Sequence, residues 1–325
     1  HTVLTLKRQG YDVIVCDSLV TGHEKALPEG TLFYRGDIGD SGLTDRIFSE
    51  NKIDAVVDFA AFSVVGESVL KPYEYFRNNV SKTLSLLDSM VRHNVLNIVF
   101  SSTAAVYGEP ERIPISEDDR TLPENPYGES KLMVEKLLKW FGKAYGLRHT
   151  SLRYFNAAGA DTEGEIGEDH NPETHLIPIV LEAALGIRDG INVFGLDYPT
   201  RDGSCIRDYI HVLDLASAHV LALSALLDGK GGEAYNLGNG RGFSVLEVIE
   251  SAERVTGRKI ISREAPRRAG DPSVLVASSE KISRELGFKA RYSSLDAIIE
   301  TAWRWHSAHP RGYEDKKSWK DVGNA

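Results

Sequence analysis

The chain has 325 residues, with 42% apolar and 26% charged side chains and a formal net charge of −9. That composition excludes a disordered segment, a collagen-like rod and a coiled coil, and the acidic balance argues against a nucleic-acid partner, which would select a basic face. Two cysteines, Cys16 and Cys205, are too few for a disulfide framework, and no apolar run approaches the ~18 residues of a membrane span, so the sequence reads as cytoplasmic with no membrane partner.

Residues 2–9 already carry helical periodicity, and Gly10 stands where a helix ends. Residues 11–17 form a β-branched run that closes in an acid, and 31–38 read as a second strand. A helix is expected over 40–50, with Leu43, Ile47 and Phe48 on one face, then a strand over 53–59. A long helix over 72–92, a strand over 97–102, a long helix over 126–145 and a strand over 150–155 follow. Near-continuous apolar strands alternating with helices predict an α/β fold with a doubly wound parallel sheet, covered on both faces. Such sheets bind ligands beyond the carboxyl ends of their strands. After residue 156 the pattern loosens, and 159–173 are rich in Gly, Asp, Glu and Pro. Helices over 177–186 and 213–227 and strands over 191–194 and 208–212 predict a smaller second lobe. The expected division is residues 1–155 for the dinucleotide and 156–325 for the substrate, with segments of the second part returning to the first. The polar tail 316–325 is expected to fray.

The residues just after each strand carry the chemistry. Asp17, closing the strand over 11–17, suits both ribose hydroxyls of an adenosine and would repel a 2′-phosphate, which favours NAD over NADP. An acid there also serves simply as a turn residue. Asp37 could bond the adenine amino group while Ile38 packs on the ring, and Phe59-Ala60-Ala61 offers a small shelf for a pyrophosphate. The strongest local signal is Tyr127-Gly128-Glu129-Ser130-Lys131, opened by Asn125-Pro126. Tyr127 and Lys131 share a helix face, where an ammonium beside a phenol favours phenolate. Tyr-x-x-x-Lys is more often a packing Tyr with a solvated Lys. Here, however, it follows a strand ending Ser101-Ser102-Thr103, whose hydroxyls could bond the same substrate oxygen.

Residues 102–108 (Ser-Thr-Ala-Ala-Val-Tyr-Gly), 127–131 and 152–156 (Leu-Arg-Tyr-Phe-Asn) closely resemble the extended short-chain dehydrogenases. Gly66-Glu67-Ser68, Asn78-Asn79-Val80, residues 203–212 and 265–271 fit that family's nucleotide-sugar epimerases. The resemblance implies a Rossmann-type fold and NAD-dependent inversion at C4 of a UDP-hexose, UDP-galactose to UDP-glucose, through transient oxidation to a 4-ketose. It makes Tyr127 the general base on the 4-hydroxyl. Lys131 lowers its pKa and holds the nicotinamide ribose, and Thr103 orients the hydroxyl. It adds Ser18, Asn79, Ser101, Tyr154 and Phe155 to the residues around NAD. For the substrate it implies Arg207 and Arg268 on the pyrophosphate, Asp271 on the uridine ribose and Asn156 on the diphosphate or sugar. Tyr209 lines the nucleotide site, Asn192-Val193-Phe194 meet uracil, and His175 and Leu176 lie nearby. A homodimer is implied too, with the helices 72–92 and 126–145 pairing. Leu84, Leu87, Val91, Val134, Leu137 and Leu138 suit either that seam or the core.

The departures sharpen the reading. Related dehydratases carry an Asp-Glu pair after the Thr, where this chain has Ala104 and Ala105 and so no acid and base for elimination. Ser63 replaces a Lys that contacts NAD in some epimerases, and His175 stands where others have Asn. Leu275 takes the place of a residue that gates N-acetylated sugars, which leaves UDP-N-acetylhexosamine or UDP-glucuronate epimerisation as alternatives. His170-x-x-x-x-His175 is not a helical metal pair, so no metal is expected. The family opens with a strand and a Gly-x-x-Gly-x-x-Gly turn, roughly 15 residues that would precede His1. The expectation is an N-terminally incomplete copy of an active enzyme that holds NAD poorly as it stands, the alternative being a non-catalytic nucleotide-sugar-binding remnant.

Overall fold

The structure, a computed structural model, describes residues 1–268 and 272–314, so Asp271 lies outside the described residues. The first half runs α1 (Thr2–Arg8), β1 (Ile14–Asp17), β2 (Leu32–Arg35), α2 (Ser41–Glu50), β3 (Val56–Asp58), α3 (Val65–Leu70), α4 (Pro72–Phe76), α5 (Lys82–Arg92), β4 (Asn97–Thr103), α6 (Pro126–Tyr145) and β5 (Arg148–Tyr154). The second runs β6 (Asn156–Ala158), α7 (Leu176–Leu185), β7 (Ile191–Phe194), β8 (Ile206–Arg207), β9 (Tyr209–His211), α8 (Val212–Leu227), β10 (Glu233–Leu237), β11 (Phe243–Ser244), α9 (Val245–Thr256), β12 (Ser262–Ala265), β13 (Val274–Leu275), α10 (Glu280–Leu286) and α11 (Leu295–Ala308). The helix expected over 72–92 is one path widened in the middle, α4 passing through a π turn at Arg77–Ser81 into α5. Helices α3, α9, α10 and α11 were not among the sequence expectations.

The main sheet is parallel throughout, in the order β10–β5–β4–β3, and β1 and β2 form a separate parallel pair. All seven residues of β4 are buried, because its alternating side chains serve two different layers. Ile98 and Phe100 pack with Leu86, Leu87 and Met90 of α5 and with Val134 and Leu138 of α6. Val99 faces the other way, toward Leu152 of β5 and Leu215, Ala222 and Leu226 of α8. Leu6 of α1, Val13 and Val57 pack on that same side, so one core spans both ladders. This is the two-sided cover that the apolar strand runs predicted. A second core joins α7, α9 and α11 (Val180, Leu181, Val248, Ile249, Ile298, Ile299) to Ile191 and Val193 of β7. The chain returns to the first sheet through α8 and through β10, which pairs with β5.

Candidate active site

The register of β4 on β5 pairs Ser101 with Leu152 and Thr103 with Tyr154, so Thr103 and Tyr154 meet at the carboxyl edge of the sheet. A 3-10 turn, Ala104–Val106, follows at once, and Thr103 Oγ1 accepts from Ala105 N at 3.2 Å. α6 is started by Asn125, whose side chain accepts from Gly128 N at 2.9 Å, and by Pro126 in the first helical turn. Gly128 is needed for packing: a Cβ there would lie 2.4 Å from the Ala105 carbonyl oxygen. Without one, the first turn of α6 presses onto the turn after β4 and brings the Tyr127 phenol near enough to Thr103 for that hydroxyl to favour its ionisation.

Lys131, one helical turn on, is 3% exposed. Its Nζ donates to Ser101 O at 2.8 Å and lies 4.8 Å from the centre of the Phe100 ring. Burial pulls its pKa from 10.5 to about 8, against the pull of the Asp58 carboxylate. The Tyr127 phenol moves the other way: burial raises it above its ordinary value, Tyr154 adds to that, and the Thr103 bond opposes it. Thr103 is thus the neighbour that favours ionisation of the phenol, while the ammonium bonds the main chain of β4. The three hydroxyls of β4 do not converge either. Ser101 Oγ pairs with the Tyr154 hydroxyl, and Ser102 Oγ donates to Glu135 Oε1 at 2.6 Å, which leaves Thr103 alone with Tyr127.

On the cofactor side, Asp17 and Ser18 are exposed at the end of β1, and Asp17 Oδ1 accepts from Leu19 N at 2.6 Å. Asp37 accepts from Lys82 Nζ at 2.5 Å and from Gly39 N at 2.8 Å. Partial burial raises this carboxyl, but those two bonds outweigh it and hold it below its ordinary range. Ile38 packs beside the core under α5. Phe59 is exposed and lies 4.7 Å from the His219 ring, followed by exposed Ala60 and half-buried Ala61. Asn79 is buried and fully engaged: its Oδ1 accepts from Phe62 N, while its Nδ2 donates to Phe62 O and Ser130 Oγ. It therefore braces the shelf after β3 against α6. Tyr154 borders His219, and Phe155 packs toward Val106, Tyr107, Ile115 and Leu132.

On the substrate side, the Arg268 guanidinium lies over the Phe194 ring at 4.0 Å from its centre, which unites two of the expected residues. Asn192 is exposed and Val193 buried, as strand alternation requires. Asn156 Nδ2 donates to Asp208 O at 2.9 Å, and Arg207 Nη1 donates to Ile206 O at 2.8 Å. Tyr209 is buried in the second core, and Leu176 packs against that core. His175 Nδ1 lies 2.9 Å from Glu173 Oε1.

Sequence reasoning missed three residues that hold this region together. Glu135 takes both oxygens to Arg153, from Nε at 2.9 Å and Nη2 at 2.6 Å, and so ties α6 to β5. Buried Asp208 accepts from Asn239, Gly240 and Ala277 main-chain N–H groups and fixes the turn after β10. Asp58, at the end of β3, is buried with Oδ2 unpartnered. A charge inside an apolar segment was the available signal in each case, since a buried charge needs partners.

The fold agrees with that of known proteins. The NAD dependent epimerase/dehydratase family matches residues 1–238. A UDP-glucose 4-epimerase of Halalkalibacterium halodurans is 59% identical over 314 residues, 96% of this chain and 93% of that protein. The crystal structure of UDP-glucose 4-epimerase from Brucella ovis in complex with NAD superposes with a TM-score of 0.91 at 49% identity, covering 93% of each chain. That of Bifidobacterium longum in complex with NAD+ and UDP has a TM-score of 0.91 at 41% identity and covers 96% of each. With the family matched over most of its length and such relatives spanning nearly all of it, this chain belongs to the NAD dependent epimerase/dehydratase family.

Proposed function

We propose that the protein inverts C4 of a UDP-hexose, converting UDP-galactose to UDP-glucose, with NAD as its resident cofactor. The observation that carries this reading is the placing of the Tyr127 phenol near Thr103, which favours its ionisation, one helical turn from buried Lys131 at the carboxyl end of β4. The residues present fit NAD. Lys131 has three donors and, among the described residues, one hydrogen-bond acceptor, Ser101 O, so the others are available to ribose hydroxyls. Exposed Asp17 offers an acceptor for the adenosine ribose, and Phe59-Ala60-Ala61 leaves room beside the sheet.

When bound, NAD would supply the group that takes the hydride from C4 and gives it back to C4, and a cationic ring in the same crevice. Thr103 orients the C4 hydroxyl, and Tyr127 takes its proton and gives it back. Burial disfavours the phenolate, so the base depends on cations close by, of which Lys131 is the protein's own. Inversion requires the oxidised sugar to receive the hydride on the face opposite to the one it left, while its C4 oxygen takes the proton back from Tyr127. Arg207, Arg268, Asn156, Tyr209, His175, Leu176 and 192–194 are assigned to the UDP portion, as is Asp271 outside the described residues. Ala104 and Ala105 carry no carboxylate, which separates this site from a water-eliminating one.

We assign residues 1–155 to the cofactor and 156–325 to the nucleotide sugar. We assign a homodimer across α5 and α6, where Leu84 (42% exposed), Met133 (37%) and Trp140 (65%) lie open. We assign a cytoplasmic location from a sequence that carries only two cysteines, too few for a disulfide framework. No helix among the described residues is long and apolar enough to cross a membrane. The test is to incubate the protein with UDP-galactose, UDP-N-acetylgalactosamine and UDP-glucuronate in parallel and to measure NAD released on denaturation. Turnover of UDP-galactose with released NAD is expected. Released UDP-sugar binding without turnover would replace this reading with a non-catalytic one.

A further inference from the structure

We propose that the segment ahead of α7 binds one divalent transition-metal ion of the zinc type, held by Glu168, His170, Glu173 and His175. One ligand atom from each of these residues lies within 4.8 Å of the other three. Both imidazoles enter the cluster through Nδ1. His170 Nδ1 is 3.3 Å from Glu168 Oε1 and 3.5 Å from Glu173 Oε2. His175 Nδ1 is 3.0 Å from Glu168 Oε1 and 2.9 Å from Glu173 Oε1. Metal–ligand bonds of about 2.0–2.2 Å in a tetrahedron require ligand–ligand edges of about 3.3–3.6 Å. The four nitrogen–oxygen separations, 2.9–3.5 Å, are close to such edges, with Glu173 turning Oε1 to His175 and Oε2 to His170.

The donor set selects the ion. Two neutral imidazoles and two carboxylates neutralise a divalent charge and leave no open position, which is the composition of a closed zinc-type site. Magnesium and calcium ask for six or more oxygens. The carboxylate of Glu173 is oriented from behind: its Oε1 accepts from Thr174 N and His175 N, both at 2.7 Å, which leaves Oε2 toward His170. Trp305 Nε1 holds the Glu168 carbonyl at 3.1 Å. Glu173 is buried while both imidazoles are exposed, so an ion has a way in. The competing occupant is a pair of protons, giving two imidazoliums shared by two carboxylates. That arrangement sets two like charges on rings whose centres are 5.0 Å apart, and asks each Nδ1–H to serve two carboxylates at once. A metal would clip residue 168 to the N-terminus of α7 across the intervening loop. This inference uses none of the NAD chemistry, but it shares His175 with the residues assigned to the UDP portion, so zinc binding is measured without UDP-sugar present.

The experiment strips the full chain with a chelator and titrates it with Zn2+ by calorimetry, with Mg2+ as the control. Co2+ is added in parallel to read its visible spectrum. The expected result is one Zn2+ per chain, the strong visible bands of tetrahedral Co2+, no response to Mg2+ and a thermal midpoint raised by Zn2+. His170→Ala and Glu168→Gln should each lose about tenfold or more in affinity and lose the Co2+ bands. Circular dichroism checks the variants; His170 is exposed, so its replacement leaves a folded protein even where Glu168→Gln does not. Absence of stoichiometric Zn2+ binding in the wild type, or affinity unchanged in His170→Ala, overturns the proposal and leaves the cluster as protonated ion pairs.

Discussion

Tyr127 occupies surroundings that make its own ionisation harder, and the residues touching it decide whether it can act as a base. Removing only the phenolic oxygen separates chemistry from packing. Tyr127→Phe should lower UDP-galactose turnover by about 10²–10⁴-fold while NAD is still released on denaturation, because proton transfer contributes a factor of that size. Retained turnover would remove Tyr127 from the mechanism. Lys131 gives a prediction that needs no substrate. Its folded pKa, lowered to about 8, lies below the ordinary 10.5. Between those values the unfolded chain binds the proton and the folded chain does not, so stability rises with pH through that window. Wild type should gain roughly 3 kcal/mol relative to Lys131→Met from about pH 8 to about pH 10.5, read from urea unfolding. A constant difference between the two proteins would mean that the ammonium is not strained by its burial. The pair was legible because helical spacing is local. That Ser102 turns to Glu135 was not, because the partner comes from another element 33 residues away and nothing near Ser102 announces it.

One element is held to the sheet by polar groups as well as by apolar surface. α6 carries Tyr127 and is anchored to β4 and β5 through the buried Glu135–Arg153 pair, which also reaches the Tyr107 hydroxyl at 2.9 Å. Glu135→Ala leaves a buried guanidinium without its carboxylate and should cost about 3–5 kcal/mol, measured by denaturant unfolding. Glu135→Leu combined with Arg153→Met should cost less than Glu135→Ala, since removing both partners removes the stranded charge. α8 packs on the sheet through apolar side chains and carries two buried imidazoles instead. His211 at its N-cap and His219 in its interior are both buried, and burial lowers each from 6.5 to about 4. In that window the unfolded chain takes up protons that the folded chain refuses, so stability falls as pH falls from about 6.5 toward 4. The limit is about 3 kcal/mol for each ring. His219→Gln should flatten the loss measured between about pH 7 and about pH 4.5, and an unaltered slope would place the acid sensitivity elsewhere.

Across the whole molecule, what the sequence disclosed follows the length of its elements. β4 and β5 are seven residues each and covered on both faces, so they must be apolar almost throughout, and that run is visible without a partner. The strands β8, β11 and β13 have two residues each, too few to show alternation, and they exist because each is a rung for another. The second lobe was therefore seen as looseness, and the helices beyond residue 227 were not seen. The proposed seam between molecules was ambiguous for the same reason: a helix covered on two sides has two apolar stripes. In the structure some of these side chains are buried and others are not. Leu87, Val134 and Leu138 are buried in the core, whereas Leu84, Met133 and Trp140 remain open. Met133 and Trp140 are seven residues apart on α6 and so share a face, beside α5. A stable dimer needs about 800 Å² from each partner, and burying an aromatic near its centre commonly supplies much of the energy. Trp140→Arg should therefore convert a dimer to a monomer in sedimentation at micromolar concentration. Leu87→Ala, at a core position, should lower thermal stability and leave association alone. Because Tyr127 and Lys131 lie on α6, the monomeric variant should keep its cofactor but lose part of its turnover if the seam also holds that helix in place. Equal sedimentation of wild type and Trp140→Arg would move the seam off α5 and α6.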